Sequence, residues 1–156
     1  MVSQRLPEEM PGDSGSELNS RRVRLLLVDD HEAARRGLRL TLADNAGIEV
    51  VGESGDGQDA VGKAIELQPD LILLDISLPG LSGIEAAKLI KSGSPRSKII
   101  FVSQHDSVHI AKEALATGAV GYVVKSDAGR DLLSAVDSAV RGETFVSRTI
   151  SKHNWH

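Results

Sequence analysis

The stretch Asp70–Gly83, "DLILLDISLPGLSG", runs through four consecutive apolar residues, Leu71–Leu74, ends on a lone carboxylate, Asp75, and breaks at Pro79, Gly80 and Gly83. A short run that is apolar on both of its alternating faces reads as a strand covered on both sides, as in a parallel sheet. Asp75 has no basic neighbour in this stretch, so any charge that balances it must be delivered by the fold.

Working outward, four more runs have strand length: "VRLLLV" (Val23–Val28), "IEVVGE" (Ile48–Glu53), "KIIFVS" (Lys98–Ser103) and "VGYVVK" (Val120–Lys125). Amphipathic stretches of helix length alternate with them. These are "EAARRGLRLTLADN", "DAVGKAIELQ" behind Asp56 as an N-cap, "GIEAAKLIKS", "SVHIAKEALATG" closed by Gly118, and "DAGRDLLSAVDSAVRG" closed by Gly142. Five βα units in succession imply right-handed crossovers and an α/β fold, an open parallel sheet with helices on both faces.

The chain has 156 residues, enough for one domain with a substantial core. Residues 1–21 mix Pro, Gly, Ser and charge without a period and read as a flexible tail, 22–142 as the domain, and 143–156 as a short extension without an output domain. A net charge of −4 offers no global basic footprint for nucleic acid. Cysteine is absent, which excludes disulfides and thiolate metal sites. No apolar stretch is long enough for a membrane span or a signal peptide's apolar region, so no membrane partner and a cytoplasmic location are expected.

In doubly wound sheets, ligands bind beyond the carboxyl ends of the strands, where the strand order reverses. The first strand ends at Asp29 and Asp30, the third at Asp75, the fourth at Ser103 and the fifth at Lys125. With strand order 2-1-3-4-5, three carboxylates converge, and their repulsion calls for a cation. Mg²⁺ suits such a site, with Mn²⁺ as the alternative, because it takes few carboxylates and leaves room for a phosphoryl group. A carboxylate nucleophile, a metal, a hydroxyl and an ammonium together form a set suited to phosphoryl transfer onto an aspartate.

Five features in order, "VDDHEAARRGL", "DLILLDISLPGLSG", "FVSQHD", "GAVGYVVKSDAG" and the βα alternation, resemble the receiver domain of two-component response regulators over about residues 22–142. With the closing "AVRGETFVS", the flavour is most similar to the LuxR/NarL-type subfamily, whose receivers usually precede a helix-turn-helix. The resemblance implies a flavodoxin-like (βα)5 fold, with Asp75 as phosphoacceptor. It implies a metal site of Asp29, Asp30, Asp75 and the Ser77 backbone carbonyl, and a switch made of Ser103, Tyr122 and Lys125. The Tyr122 ring is expected to enter space that Ser103 vacates on phosphorylation. Ser77 and Gln104 stand where relatives tune the lifetime of the acyl phosphate. The implied donor is a histidine kinase or a histidine phosphotransfer protein, with homodimerisation and no direct DNA contact by this chain. The chemistry implied is the chain's own phosphorylation and dephosphorylation, so an enzyme acting on other substrates is not expected.

Two residues depart from the family pattern. Ser103 stands in place of the commoner threonine, and Ser126 follows Lys125 where many receivers have proline and a cis bond. Other readings compete. Asp29 and Asp30 could be helix caps only, and Tyr122 plain core filling. His105 and His109 are four apart but lack a third ligand, and the terminal "HNWH" has no assignment. A flavodoxin-type cofactor binder would need a phosphate loop where "DDHEA" places acids. A phosphorylation-independent interaction domain and a truncated DNA-binding regulator remain as alternatives. Leu132, Val136 and Val140 repeat at helical spacing, which core packing explains first.

Overall fold

The computed structural model of the chain describes residues 21–152. Residues 1–20 of the tail read over 1–21, and the "HNWH" end, lie outside the described residues. The four apolar residues of the opening stretch form β3 (Leu71–Leu74), all of them buried. It lies between β1 (Val23–Val28) and β4 (Lys98–Ser103), with β2 (Ile48–Ser54) beyond β1 and β5 (Gly121–Val124) beyond β4. All pairings are parallel, and with β6 (Phe145–Val146) at the far edge the order of the sheet is β2-β1-β3-β4-β5-β6.

The continuous apolar runs are explained by two cores, one on each face, fed by alternate residues of the same strands. Leu26, Val28, Ile72, Leu74, Phe101 and Tyr122 face one core. It is covered by α2 (Gly57–Leu67), α3 (Gly83–Gly93) and α4 (Val108–Leu115), through Ala60, Ala86, Ile90 and Ala111 among others. Leu25, Leu27, Leu73, Ile100 and Val102 face the other, under α1 (Glu32–Leu42) and α5 (Ala128–Val140). Within α5, Leu132 and Val136 are buried as core, whereas Val140 is 56% exposed.

The helix ends follow the local chemistry. Asp56 caps α2 by accepting the Asp59 N–H at 2.9 Å, and Ser82 and Ser107 cap α3 and α4 in the same way. Gly118 and Gly142 adopt positive φ after α4 and α5. No peptide bond among the described residues is cis, so Lys125–Ser126 is trans; a short 3-10 turn, Lys125–Asp127, leads into α5.

The segment after Gly142 belongs to the fold and does not simply extend from it. Phe145–Val146 form β6, paired in parallel with Gly121 and Tyr122, and Arg148–Ser151 form the single turn α6. Ser147 donates its N–H to the Tyr122 carbonyl at 2.9 Å, and its Oγ accepts the Val124 N–H at 2.9 Å. Ile150 is fully buried against the core that holds Tyr122, a burial that contributes roughly 1.5–3 kcal/mol. A two-residue strand and a one-turn helix are too short to show a period, so sequence reading saw only an extension.

Candidate functional site

Strand register brings the site together. Val28 is paired with Leu74, so the next residues, Asp29 and Asp75, stand side by side at the carboxyl edge of the sheet. Ser103 is paired with Val124, which puts its hydroxyl beside the strand end that leads into Lys125. Asp29 is 1% and Asp75 3% exposed.

Lys125 reaches between the two acids. Its ammonium donates to Asp75 Oδ2 at 2.9 Å and lies 2.7 Å from Asp29 Oδ2. The second contact is an ion pair without hydrogen-bond alignment, because Asp29 Oδ2 is buried and accepts no hydrogen bond. Burial works to lower the Lys125 pKa, but its close contacts with Asp29 and Asp75 and their charges outweigh it and hold the ammonium above the ordinary lysine value. Two carboxylates and one ammonium leave one negative charge unbalanced, and Asp30 adds another.

The other oxygens are held by short-range contacts. Asp29 Oδ1 accepts the His31 N–H at 2.9 Å, and Asp75 Oδ1 accepts the Ser77 N–H at 3.3 Å. Arg35, from α1, donates to the Asp29 carbonyl at 2.5 Å and to Glu53 Oε1 at 3.1 Å, so the loop that carries the acids is tied to helix and edge strand. Among the described residues, one group of three has donor atoms close enough for one metal ion: Asp29, Asp30 and His31, all within 4.8 Å of one another. Three carboxylates are set against the single Lys125 ammonium here, and that excess of negative charge fits a hard divalent cation.

His105 connects Ser103, Tyr122 and Ser77. Its N–H donates to Ser103 Oγ at 3.1 Å, its carbonyl accepts the Tyr122 hydroxyl at 2.8 Å, and its Nε2 lies 3.0 Å from Ser77 Oγ. Ser77 therefore meets His105, while Gln104 is exposed. The Tyr122 ring is already fully buried, so in this conformation it does not stand outside waiting for space. Sequence reading missed His31, Arg35 and His105. His31 adjoins the acid pair and His105 lies in "FVSQHD", but adjacency does not say which way a ring turns.

Burial pushes the Tyr122 phenol above its ordinary value of 10.0; a hydrogen bond with Ser103 opposes this, and the charges of Asp75 and Asp106 reinforce it. A phenol whose folded pKa is raised contributes stability that is complete below the unfolded value and lost as pH rises through the folded one. The sequence contains a single tyrosine, so phenolate absorbance reports Tyr122 alone. We expect that absorbance to develop above pH 10.0, together with loss of tertiary circular dichroism. Titration at the ordinary value with the fold intact would contradict the burial.

These features place the chain among known proteins. The family model described as "Response regulator receiver domain" matches residues 25–137, and the chain belongs to that family, the receiver module of two-component systems. Among its relatives, the uncharacterized transcriptional regulatory protein YxjL of Bacillus subtilis is 37% identical over 134 residues, which are 86% of this chain and 61% of YxjL. The crystal structure of a LuxR-family two-component response regulator from Aurantimonas sp. superposes with a TM-score of 0.80 at 33% identity, covering 84% of this chain and 94% of that one. The isolated receiver domain of RcsB from Salmonella enterica serovar Typhimurium, solved in the presence of the phosphomimetic BeF3-, superposes with a TM-score of 0.79 at 27% identity, covering 85% of this chain and 98% of that one. The chain spans about three fifths of the length of the curated relative it matches. No helix among the described residues is long and apolar enough to cross a membrane.

Proposed function

We propose that the chain is a phosphoacceptor that takes a phosphoryl group from a phosphohistidine onto Asp75 and changes conformation to control a partner. The observation that carries this is the buried pair Asp29 and Asp75 sharing the Lys125 ammonium at the sheet edge, next to Ser103 and Tyr122. An Asp75 oxygen attacks phosphorus, the phosphorus–nitrogen bond breaks, and the freed imidazole leaves with a proton, giving an acyl phosphate. Lys125 meets the charge on the transferring phosphoryl oxygens. Ser103 turns its hydroxyl from the His105 N–H toward the new oxygens, and Tyr122, anchored on the His105 carbonyl, follows the loop.

Asp29 and Asp30 would hold Mg²⁺, with the Asp75 carboxylate and the Ser77 carbonyl completing the protein ligands. When bound, the ion neutralises phosphoryl oxygens and the excess negative charge of the pocket. The donor is a histidine kinase or a histidine phosphotransfer protein in the cytoplasm. The chain acts chemically on itself alone, and self-association into a homodimer is a natural output.

The test is intact mass after incubation with Mg²⁺ and a small-molecule phosphodonor, alongside Asp75→Ala and a magnesium-free control. A magnesium-dependent adduct on the wild type only is expected. If neither that adduct nor a beryllofluoride complex forms, the phosphoacceptor reading is wrong and a phosphorylation-independent interaction domain replaces it.

A further inference from the structure

We propose that Arg35 is a positioning residue for phosphoryl acceptance, the side chain that fixes the loop Asp29–His31 so that its acids stand ready for the divalent ion. This rests on the metal-dependent reading above and adds to it the residue that holds the loop in shape. Asp29 extends the β1–β2 ladder by one bond, its N–H donating to the Ser54 carbonyl at 3.0 Å, and β2 ends there. Its own carbonyl gets no donor from that side, because the Asp56 N–H turns to Ser54 Oγ at 3.3 Å. A buried carbonyl left without a donor is costly. Arg35 supplies the donor from the first turn of α1. Its Nη1 meets the Asp29 carbonyl and its Nε meets Glu53 Oε1, so one planar guanidinium ties the loop to β2. His31, at the N-cap of α1, makes no side-chain capping bond, so the helix start does not hold the loop by that route. Packing bears on the same contact: a Cβ at Gly55 would stand 3.2 Å from Arg35 Nη1 and 3.6 Å from the Asp29 carbonyl oxygen, so the backbone beyond β2 closes over it.

A bland reading makes Arg35 a plain positive charge near the acids, and the two roles differ in sign. A fixed cation repels a divalent ion, so its removal would tighten metal binding. Removal of a residue that orients the ligands weakens metal binding instead. Arg39 provides the comparison within the same ion-pair network. It donates to both carboxylate oxygens of Glu53 at 2.8 Å, without a hydrogen bond to the Asp29 carbonyl. Loss of Arg39 therefore disturbs Glu53 and leaves the contact with the loop in place.

The experiment measures Mg²⁺ binding to the full chain by calorimetry, and hydrogen exchange of the His31 amide without metal, for wild type, Arg35→Gln, Arg35→Lys and Arg39→Gln. The His31 N–H donates to Asp29 Oδ1, so its exchange reports the loop before any ion binds. We expect Mg²⁺ affinity to fall by about tenfold in Arg35→Gln, with faster His31 exchange, and both to stay unchanged in Arg39→Gln. Arg35→Lys keeps the charge but loses the fork that reaches two acceptors, and it should recover part of each effect. A general loss of stability would show in both glutamine variants, since each removes a partner of Glu53. Mg²⁺ affinity equal or tighter in Arg35→Gln, or lowered as much in Arg39→Gln, would overturn the positioning role. If Mg²⁺ fails to bind the wild type while His31 exchange still quickens in Arg35→Gln, the metal-dependent reading falls and the hold of Arg35 on the loop stands.

Discussion

Replacing Gly83 with alanine is expected to cost about 3 kcal/mol of stability, typical of the upper end for overpacking, and to lower the melting temperature by about 10 °C. A Cβ at this position would stand 1.9 Å from the Asp75 carbonyl oxygen and 2.8 Å from Ile76 Cα. Both neighbours are backbone, so no rotamer change relieves the clash. The helix start must move away, or the strand end that carries Asp75 must move with it. The approach is fixed by a hydrogen bond from the Gly83 N–H to the Ile76 carbonyl at 2.7 Å. Loss of stability and loss of phosphoryl acceptance should therefore appear together. Gly129→Ala is the matched control: its Cβ meets nothing within 4 Å inside α5, and it should gain about 0.5–1 kcal/mol. Urea melts of the two variants beside the wild type decide the matter, and a Gly83→Ala protein of wild-type stability would rule out the close approach.

Lys125→Met is expected to cost about 2 kcal/mol near neutral pH. Removing one partner of a buried ion pair costs about 3–5 kcal/mol, and the Lys125 side chain, 23% exposed, keeps part of its hydration. The carboxylates of Asp29 and Asp75 would then face each other without the ammonium they share. The dependence on pH has a definite sign. The Lys125 pKa is raised by Asp29 and Asp75 against the opposing effect of burial, so its contribution is complete below the unfolded lysine value and lost as pH rises through the folded one. The difference between variant and wild type should thus be largest below the unfolded lysine value and narrow as pH rises through the folded one. Denaturant midpoints across pH provide the measurement, and a gap independent of pH would show that Lys125 acts by packing alone.

The reading of the opening stretch as one that breaks at Pro79, Gly80 and Gly83 is refined by the same geometry. Gly80 does adopt a positive φ of 78°, as a sharp turn requires. Gly83 serves a different end, the contact of a helix start with the backbone of Asp75. A glycine in sequence signals only that a side chain is unwelcome, and the neighbour that excludes it is known only once the chain has folded.

The sequence by itself determined the class of the fold, because period and length are local properties: Leu71–Leu74 is apolar on both faces, and amphipathic stretches alternate with such runs. It also determined the chemistry available, since Asp29, Asp30, Asp75, Ser103 and Lys125 all stand at strand ends. Tertiary structure alone decided what touches what. The pairing of Val28 with Leu74 sets Asp29 against Asp75, and the return of α1 brings Arg35 onto the Asp29 carbonyl. The side chain that meets Ser77 is His105, and Phe145, Val146 and Ile150 complete the sheet and core. Each of these depends on contacts between residues far apart in the chain or on the direction of one side chain, and neither leaves a periodic trace in the order of amino acids.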